Sequence, residues 1–77
     1  MVKVYIVQEC GEGAGNVHVY AKQDDAANHA QDLIEYGDLT DEFKNPVDTS
    51  TWDGEKELDL WNDEGEIVVR LYNAEVK

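Results

Sequence analysis

The chain has 77 residues, which is enough for one small domain, and we expect a single domain over residues 1–77. Its 18 acidic and 6 basic side chains give a formal net charge of −12. A charge of this sign disfavours binding to nucleic acid or anionic membranes and favours a basic partner. Solubility or adaptation to high salt would produce the same composition.

The single cysteine, Cys10, excludes an intramolecular disulfide and indicates a reducing compartment. No apolar run approaches the roughly 20 residues of a membrane-spanning helix. The chain also opens without the basic and apolar segments of a secretory leader. We therefore expect a complete cytoplasmic protein.

The amino-terminal segment predicts a β-hairpin. Residues 2–9 and 16–21 are rich in β-branched and aromatic residues, as strands are. The segment between them contains Gly11, Gly13 and Gly15. In a dinucleotide-binding loop such glycines lead into a helix, whereas these lead into a strand. They therefore predict a hairpin turn and not a phosphate site.

The next segment predicts an amphipathic helix that ends at Gly37. Its apolar residues recur at helical spacing and form one stripe. They are Ala26, Ala27, Ala30, Leu33 and Ile34. Asp24 and Asp25 lie in the first turn, where the helix dipole favours negative charge. The connection over residues 38–51 allows a short helical turn after Thr40, which Pro46 would end.

The last third of the chain predicts a second hairpin, with strands over residues 55–61 and 66–75 and the loop "NDEG". A four-residue loop pairs Trp61 with Glu66, Leu60 with Ile67, Leu58 with Val69 and Glu57 with Arg70. The apolar pairs then share one face of the hairpin. The whole pattern predicts an α+β fold, a four-stranded antiparallel sheet of ββαββ order with one helix on one face.

Cys10, His18 and His29 are the candidates for catalysis or metal binding. Neither histidine has a cysteine at zinc-ligand spacing, and Cys10 has no evident orienting partner. The acidic segment 48–59 has the length of a calcium loop, but Gly54 falls one place too late in it. We expect ordinary polar or structural roles for these residues, and no enzyme, metal or cofactor.

The predicted partner-binding site is a row of carboxylates in the second hairpin. Asp53, Glu55, Glu57 and Asp59 alternate along the chain. Alternate residues of a strand project to one face about 6.6 Å apart, a spacing comparable to that of phosphates in DNA. The remaining predicted binding residues are Trp61, Asp63, Glu64 and Glu66 of the hairpin and Asp32 and Glu35 of the helix. The same alternation is typical of any strand with one solvated face.

Aromatic residues predict a second surface, on the sheet face away from the helix. The residues expected there are Tyr5, Val7, Tyr20, Trp61, Val68 and Tyr72. Such a face needs a cover, which could be the connection 38–51, a partner or a second copy of the chain. A homodimer would use Tyr5, Tyr20, Trp61 and Tyr72.

The segments "KVYIVQE" and "VHVYAKQDDAANHAQDL", followed by the acidic hairpin, resemble small bacterial and phage α+β proteins. In size and acidity the chain resembles phage-encoded inhibitors of bacterial defence, such as anti-CRISPR proteins and DNA mimics. That class shares no fold or signature, so the resemblance assigns no residue. It implies an inhibitor that acts in the host cytoplasm.

Composition and resemblance together predict a non-enzymatic acidic protein that blocks a basic nucleic-acid-binding surface of a host protein. The partner would be that basic protein, with no direct contact to nucleic acid or membrane. A small self-associating structural or regulatory domain is the alternative. A third alternative is an enzyme or metal-dependent protein built on Cys10, His18 or His29.

Overall fold

The computed structural model describes residues 2–10 and 16–76, so the predicted turn at residues 11–15 lies outside the described residues. The elements are β1 (Val2–Glu9), β2 (Val17–Tyr20), α1 (Gln23–Gly37), a 3₁₀ helix (Thr49–Thr51), β3 (Leu58–Trp61) and β4 (Ile67–Val76). The strands form an antiparallel sheet in the order β2-β1-β4-β3, and α1 packs on one face of it. The predicted α+β fold is confirmed.

The first and last strands form the centre of this sheet. They pair along their length, from Val2 opposite Val76 to Glu9 opposite Val69. The two hairpins are thereby joined into one sheet, with the short strands β2 and β3 at its edges. β3 is shorter than predicted, because residues 54–56 lie in a bend and the strand begins at Leu58.

The register of the second hairpin differs from the prediction. Leu58 pairs with Leu71, and Asp59 pairs with Arg70, which was predicted to face Glu57. The predicted pairs that the structure replaces are Trp61 with Glu66, Leu60 with Ile67, Leu58 with Val69 and Glu57 with Arg70. Between Leu58 and Leu60 the shift is two residues, so each side chain keeps its predicted face of the hairpin.

A longer loop and a β-bulge together account for the shift, one residue each, because pairing Trp61 with Ile67 leaves five residues in the loop and the bulge adds the second residue. The register changes between Leu60 and Trp61, so that Trp61 pairs with Ile67. The outer edge of Trp61 is held by the connection, since its N–H and C=O both pair with the backbone of Thr40, at N···O distances of 2.8 and 2.9 Å. This contact joins residues far apart in the sequence, so it could not be predicted from the length of the hairpin loop.

The helix forms as its pattern predicts and ends with a left-handed residue. Asp38 has φ 53° and ψ 47°, and the predicted stop, Gly37, is the last helical residue. The chain then turns at residues 41–44, where the carboxylate of Asp41 accepts the N–H groups of Phe43 and Asn45. The 3₁₀ helix follows Pro46, whereas we predicted that Pro46 would end a helical turn.

The core lies between α1 and one face of the sheet. Val7, Leu60 and Leu71 are fully buried there against Ala26 and Ala30 of the helix. Because alanine side chains are small, the sheet lies close to the helix and supplies most of the apolar volume.

In the first hairpin the helix covers the sheet face that was predicted to be open, whereas Tyr72 of β4 lies on the outer face as predicted. Tyr5, Val7 and Tyr20 point towards the helix layer and not away from it. The opposite residues of β1, which were expected in the core, form the outer face. Both faces of β1 are apolar, so alternation alone does not decide which one the helix covers.

In the structure the connection between α1 and β3 spans residues 38–57, and it completes the second layer beside the helix. The indole of Trp52 packs edge-on against the ring of Tyr5, with ring centroids 5.9 Å apart. Its N–H donates to the carbonyl of Lys56 at 2.6 Å, and its own carbonyl accepts the side-chain amide of Gln23 at 2.8 Å. The buried hydroxyl of Thr49 donates to the carbonyl of Ala27 at 2.9 Å. Residues 49–56 are therefore fixed to both the helix and the sheet.

A pair of glycines tests this packing. Gly54 and Gly65 have nearly the same positive φ, 80° and 82°. A Cβ at Gly54 would lie 2.5 Å from the side-chain oxygen of Gln23, whereas a Cβ at Gly65 would meet no atom within 4 Å. We expect Gly65→Ala to lower the free energy of unfolding by about 1–2 kcal/mol through backbone strain alone. Gly54→Ala should cost more than this, because Gln23 must also move. Urea denaturation of both variants measures the difference, and equal losses would contradict the packing described.

Candidate functional site

The helix layer carries most of the acidic surface. The exposed carboxylates of α1 and of the connection are Asp24, Asp25, Asp32, Glu35, Asp38, Glu42, Asp48, Asp53, Glu55 and Glu57. The exposed basic residues of the same layer are Lys22, Lys44 and Lys56. Asp32 and Glu35, two predicted binding residues, therefore lie on the solvent side of this layer. The imbalance produces a negative potential over one broad side of the molecule.

The four carboxylates predicted as a row do not lie on one strand. Asp53 precedes the bend and accepts the backbone N–H groups of Glu55 and Lys56, at 2.9 and 3.2 Å. Glu55 forms an ion pair with Lys3 at 2.8 Å. The regular spacing inferred for a strand over residues 55–61 is therefore wrong.

The last two members of the predicted row also differ from each other. Glu57 is exposed just before β3, whereas Asp59 is half-buried within it. Asp59 lies across from Arg70, with 3.8 Å between its Oδ1 and the Arg70 Nε. This oxygen has no hydrogen-bond partner among the described residues. Asp59 is thus engaged with the sheet and is a poor substitute for a solvent-facing phosphate.

The tip of the second hairpin forms a separate acidic group. Asp63, Glu64 and Glu66 are exposed there. The side-chain oxygen of Asn62 fixes the turn by accepting the N–H groups of Glu64 and Glu66, at 3.0 and 2.9 Å. Trp61 beside them is half-buried.

Two aromatic side chains are exposed within the acidic layer. Tyr36, near the end of α1, is 93% exposed, and Phe43, in the turn that follows, is 73% exposed. The sequences around them are "EYGD" and "DEFK", so Tyr36 has carboxylates on both sides and Phe43 follows two of them and precedes Lys44. Exposed aromatics surrounded by charge are typical of protein-binding surfaces, and neither residue was among the predicted anchors.

The outer face of the sheet has the opposite character. Val2, Val17, Val19 and Val76 are each more than half exposed, although all four lie in strands. Val4, Ile6, Tyr72 and Ala74 lie between them and are half-buried. Among the described residues assigned to this face by the strand register, the charged ones are Asp59 and Arg70. The molecule therefore has an acidic side and an apolar side.

A third group joins Glu9, His18 and His29 at one end of the hairpin. The Nε2 of His18 lies 2.9 Å from the Oε2 of Glu9. The two imidazole rings are 4.5 Å apart between centroids, and the Nδ1 of His29 lies 2.7 Å from the hydroxyl of Tyr20. The sequence analysis treated both histidines as isolated polar positions. The predicted first hairpin could have revealed part of the cluster, because pairing its strands places Glu9 and His18 on the same face.

Comparison with known proteins does not add to this geometry. No protein family matches the chain, and no curated protein or solved structure shows significant similarity to it. No helix in the described part of the chain is long and apolar enough to span a bilayer. Function is therefore argued from charge, exposure and geometry.

The hydrogen bonds of two carboxylates in the connection predict how the stability of the fold depends on pH. Hydrogen bonds from the hydroxyl and N–H of Ser50 lower the pKa of Asp48 below its ordinary 3.8. The N–H groups of Glu55 and Lys56 lower the pKa of Asp53 in the same way. A lowered pKa in the folded state means that the stabilisation is complete above pH 3.8. It is lost as the pH falls through the folded-state pKa.

Carboxyl-carbon NMR titration checks this prediction. Asp48 and Asp53 should both titrate below 3.8. Ser50→Ala should raise the pKa of Asp48 and leave that of Asp53 unchanged, since only Asp48 accepts from Ser50. If Asp48 titrated at the same pH in the variant, the hydroxyl of Ser50 would not be a cause of the lowered pKa.

Proposed function

We propose that the protein is a non-enzymatic acidic binding protein that occupies the basic nucleic-acid-binding surface of another protein. The observation that carries this proposal is the exposure of Tyr36 and Phe43 within a layer of exposed carboxylates. Charge alone serves solubility, whereas exposed aromatic rings oppose it. Their combination favours a surface built for a partner.

The mechanism is competition for the same cations. Carboxylates take the place of phosphates against Lys and Arg side chains, with charge-assisted hydrogen bonds. The two aromatic residues add apolar contacts to those made by the carboxylates. Aromatic side chains are frequent hot spots of protein binding. The long-range negative field accelerates encounter with a basic surface and repels nucleic acid from it.

The binding surface in this proposal differs from the row suggested by the sequence. Its centre is the segment from Glu35 to Lys44, at the end of α1 and the start of the connection. Asp32 adds charge on the helix, while Asp53, Glu57 and the hairpin tip extend the acidic surface. Asp59 and Glu55 are engaged with Arg70 and Lys3 and contribute less free charge.

The resemblance to phage-encoded inhibitors suggests where such a protein would act. Its partner would then be a nucleic-acid-binding protein of bacterial defence, met in the host cytoplasm. The chemistry required of that partner is a basic groove with an apolar patch beside it.

The first experiment is a competition assay on bacterial proteins that bind DNA-cellulose. The protein, added at low and at moderate salt, should release a specific DNA-binding protein from the resin and remain bound to it in solution. Release should weaken as salt rises, because exposed charge pairs are screened. Release that is unaffected by salt, or no release at all, would contradict the proposal.

Two variants of equal charge locate the surface. One carries Asp32→Asn, Glu35→Gln and Glu42→Gln in the helix layer, and the other carries Asp63→Asn, Glu64→Gln and Glu66→Gln at the hairpin tip. The first should weaken binding about tenfold, from about 0.2–1 kcal/mol for each exposed pair, and the second should weaken it less. If both variants lost the same affinity, net charge and not a defined surface would account for binding. Tyr36→Ala with Phe43→Ala should weaken binding and keep its salt dependence.

The apolar side of the molecule favours a second candidate function, self-association through the sheet. A second copy is the occupant that fits, because a nearly uncharged face is where two chains of net charge −12 repel least. The four-stranded face measures roughly 400 Å² per copy from strand length and spacing. Two such faces bury about 800 Å², below the roughly 1,000 Å² expected of a specific interface, so the dimer would be weak and transient. The dimer surface predicted from Tyr5 and Tyr20 is wrong, since both face the helix layer.

Sedimentation equilibrium over a wide concentration range tests the dimer. The wild-type chain should dimerise at high micromolar concentration, and Val19→Lys should remain monomeric at the same concentration. Tyr36→Lys makes the same kind of change on the acidic side and should leave the dimer intact. A monomer at all concentrations, or equal effects of the two variants, would exclude this interface.

A further inference from the structure

We propose that Glu9, His18 and His29 form a binding site for a divalent transition-metal ion, with zinc as the best match. One carboxylate oxygen and one ring nitrogen from each histidine all lie within 4.8 Å of one another. These residues come from three elements, β1, β2 and α1. The site goes beyond the proposed binding function and does not depend on it.

The fold itself brings the three side chains together. His18 pairs with Val7 on the helix-facing side of the sheet, and Glu9 lies two residues further along the same face. The helix packs on that face and adds His29, one residue before the buried Ala30. All three side chains are half-buried, which limits their motion and leaves room for entry from solvent.

The hydrogen bond between His29 and Tyr20 prepares His29 as a ligand. Its Nδ1 lies 2.7 Å from the Tyr20 hydroxyl. When Nδ1 carries the proton and donates it to that oxygen, Nε2 keeps its lone pair for a metal. Metal-ligating histidines commonly have a partner of this kind on the other nitrogen, and it fixes both tautomer and ring orientation. Tyr20 is a positioning residue in this arrangement.

The donor set decides the class of metal. Two imidazole nitrogens and one carboxylate match the protein ligands of catalytic zinc sites, which leave a fourth position to water. Calcium and magnesium prefer sites built from oxygen ligands. Ligands about 2.0–2.1 Å from a tetrahedral zinc lie roughly 3.4 Å apart. The His18–Glu9 distance of 2.9 Å must open slightly, and the longest separation, at most 4.8 Å, must close. Rotations of half-buried side chains achieve both.

The surrounding charge favours a cation at this site. Asp25 and Asp32 lie four residues before and three residues after His29 on the helix, so they flank it on the helix surface. Both are exposed and are left free to contribute a negative potential. The same potential attracts cations everywhere on this protein, so the test must separate imidazole ligation from binding by scattered carboxylates.

The experiment is a zinc titration of the full chain by calorimetry, in the presence of a large excess of Mg²⁺ that occupies surface carboxylates. The chain carries Cys10→Ser, because a thiolate next to Glu9 in the sequence is itself a zinc ligand. We expect one Zn²⁺ per chain. Imidazole NMR signals of His18 and His29 should shift on binding, and zinc should raise the Tm.

Single substitutions assign the ligands. His18→Gln and His29→Gln should each lower zinc affinity at least tenfold and abolish the rise in Tm, and Glu9→Gln should lower affinity as well. Tyr20→Phe should have a smaller effect, as expected for a partner of the ligand and not for a ligand. Asp63→Asn removes one distant charge and should change nothing.

Two results would overturn the site. The first is zinc binding that Mg²⁺ displaces completely. The second is binding that His18→Gln and His29→Gln leave unchanged. In either case the three side chains would be a structural network, in which the Glu9–His18 pair and the Tyr20–His29 hydrogen bond join the hairpin to the helix. Because the altered side chains are only half-buried, the variants should fold, and circular dichroism of the metal-free chain separates loss of ligation from loss of fold.

Discussion

The packing of Trp52 on Tyr5 is the contact on which the two-layer structure depends. The helix alone is too narrow to cover four strands, and its core side is largely alanine, so the rest of that face needs another cover. Trp52 supplies it from the connection, with its indole N–H bound to Lys56 and its carbonyl bound to Gln23. Because a buried indole that satisfies its polar groups adds large apolar area at little cost, a 20-residue irregular segment becomes part of the folded layer.

This arrangement sets the charge asymmetry of the molecule. The helix and the connection carry most of the acidic residues, and both are placed on one side of the sheet. The other side receives the alternate residues of β1, β2 and β4, which are mainly valine. Repulsion among the carboxylates is relieved at few points, such as the Lys3–Glu55 pair. The uncompensated charge of this layer therefore opposes the compact state and would attract a basic surface.

Secondary structure followed from the sequence wherever one local pattern dominated. The helix rests on a clear apolar stripe, and its predicted end at Gly37 is correct. The choice of sheet face was wrong because β1 is apolar on both sides and only packing against small helical alanines selects Tyr5 and Val7. The hairpin register and the carboxylate row failed for non-local reasons, namely the bridge from Thr40 to Trp61 and the bend that Gly54 makes with φ 80°. The histidine cluster needed the pairing of two strands and the placement of the helix at once.

The acidic surface and the histidine cluster lie in the same negative electrostatic potential, but they offer different donor atoms to a ligand. A potential of this sign concentrates Lys and Arg side chains of a partner and divalent metal ions alike. The two surfaces differ in their donor atoms. Exposed carboxylates are hard, weakly selective ligands, whereas imidazole nitrogens select transition metals. The carboxylates argued to bind a partner extend from Asp32 to Glu42, whereas the metal ligands lie where Glu9 meets His18. Neutralising the first set removes charge without removing a ligand, and replacing the histidines removes ligands while the acidic layer is preserved. The two proposed activities can therefore be tested separately on one small chain.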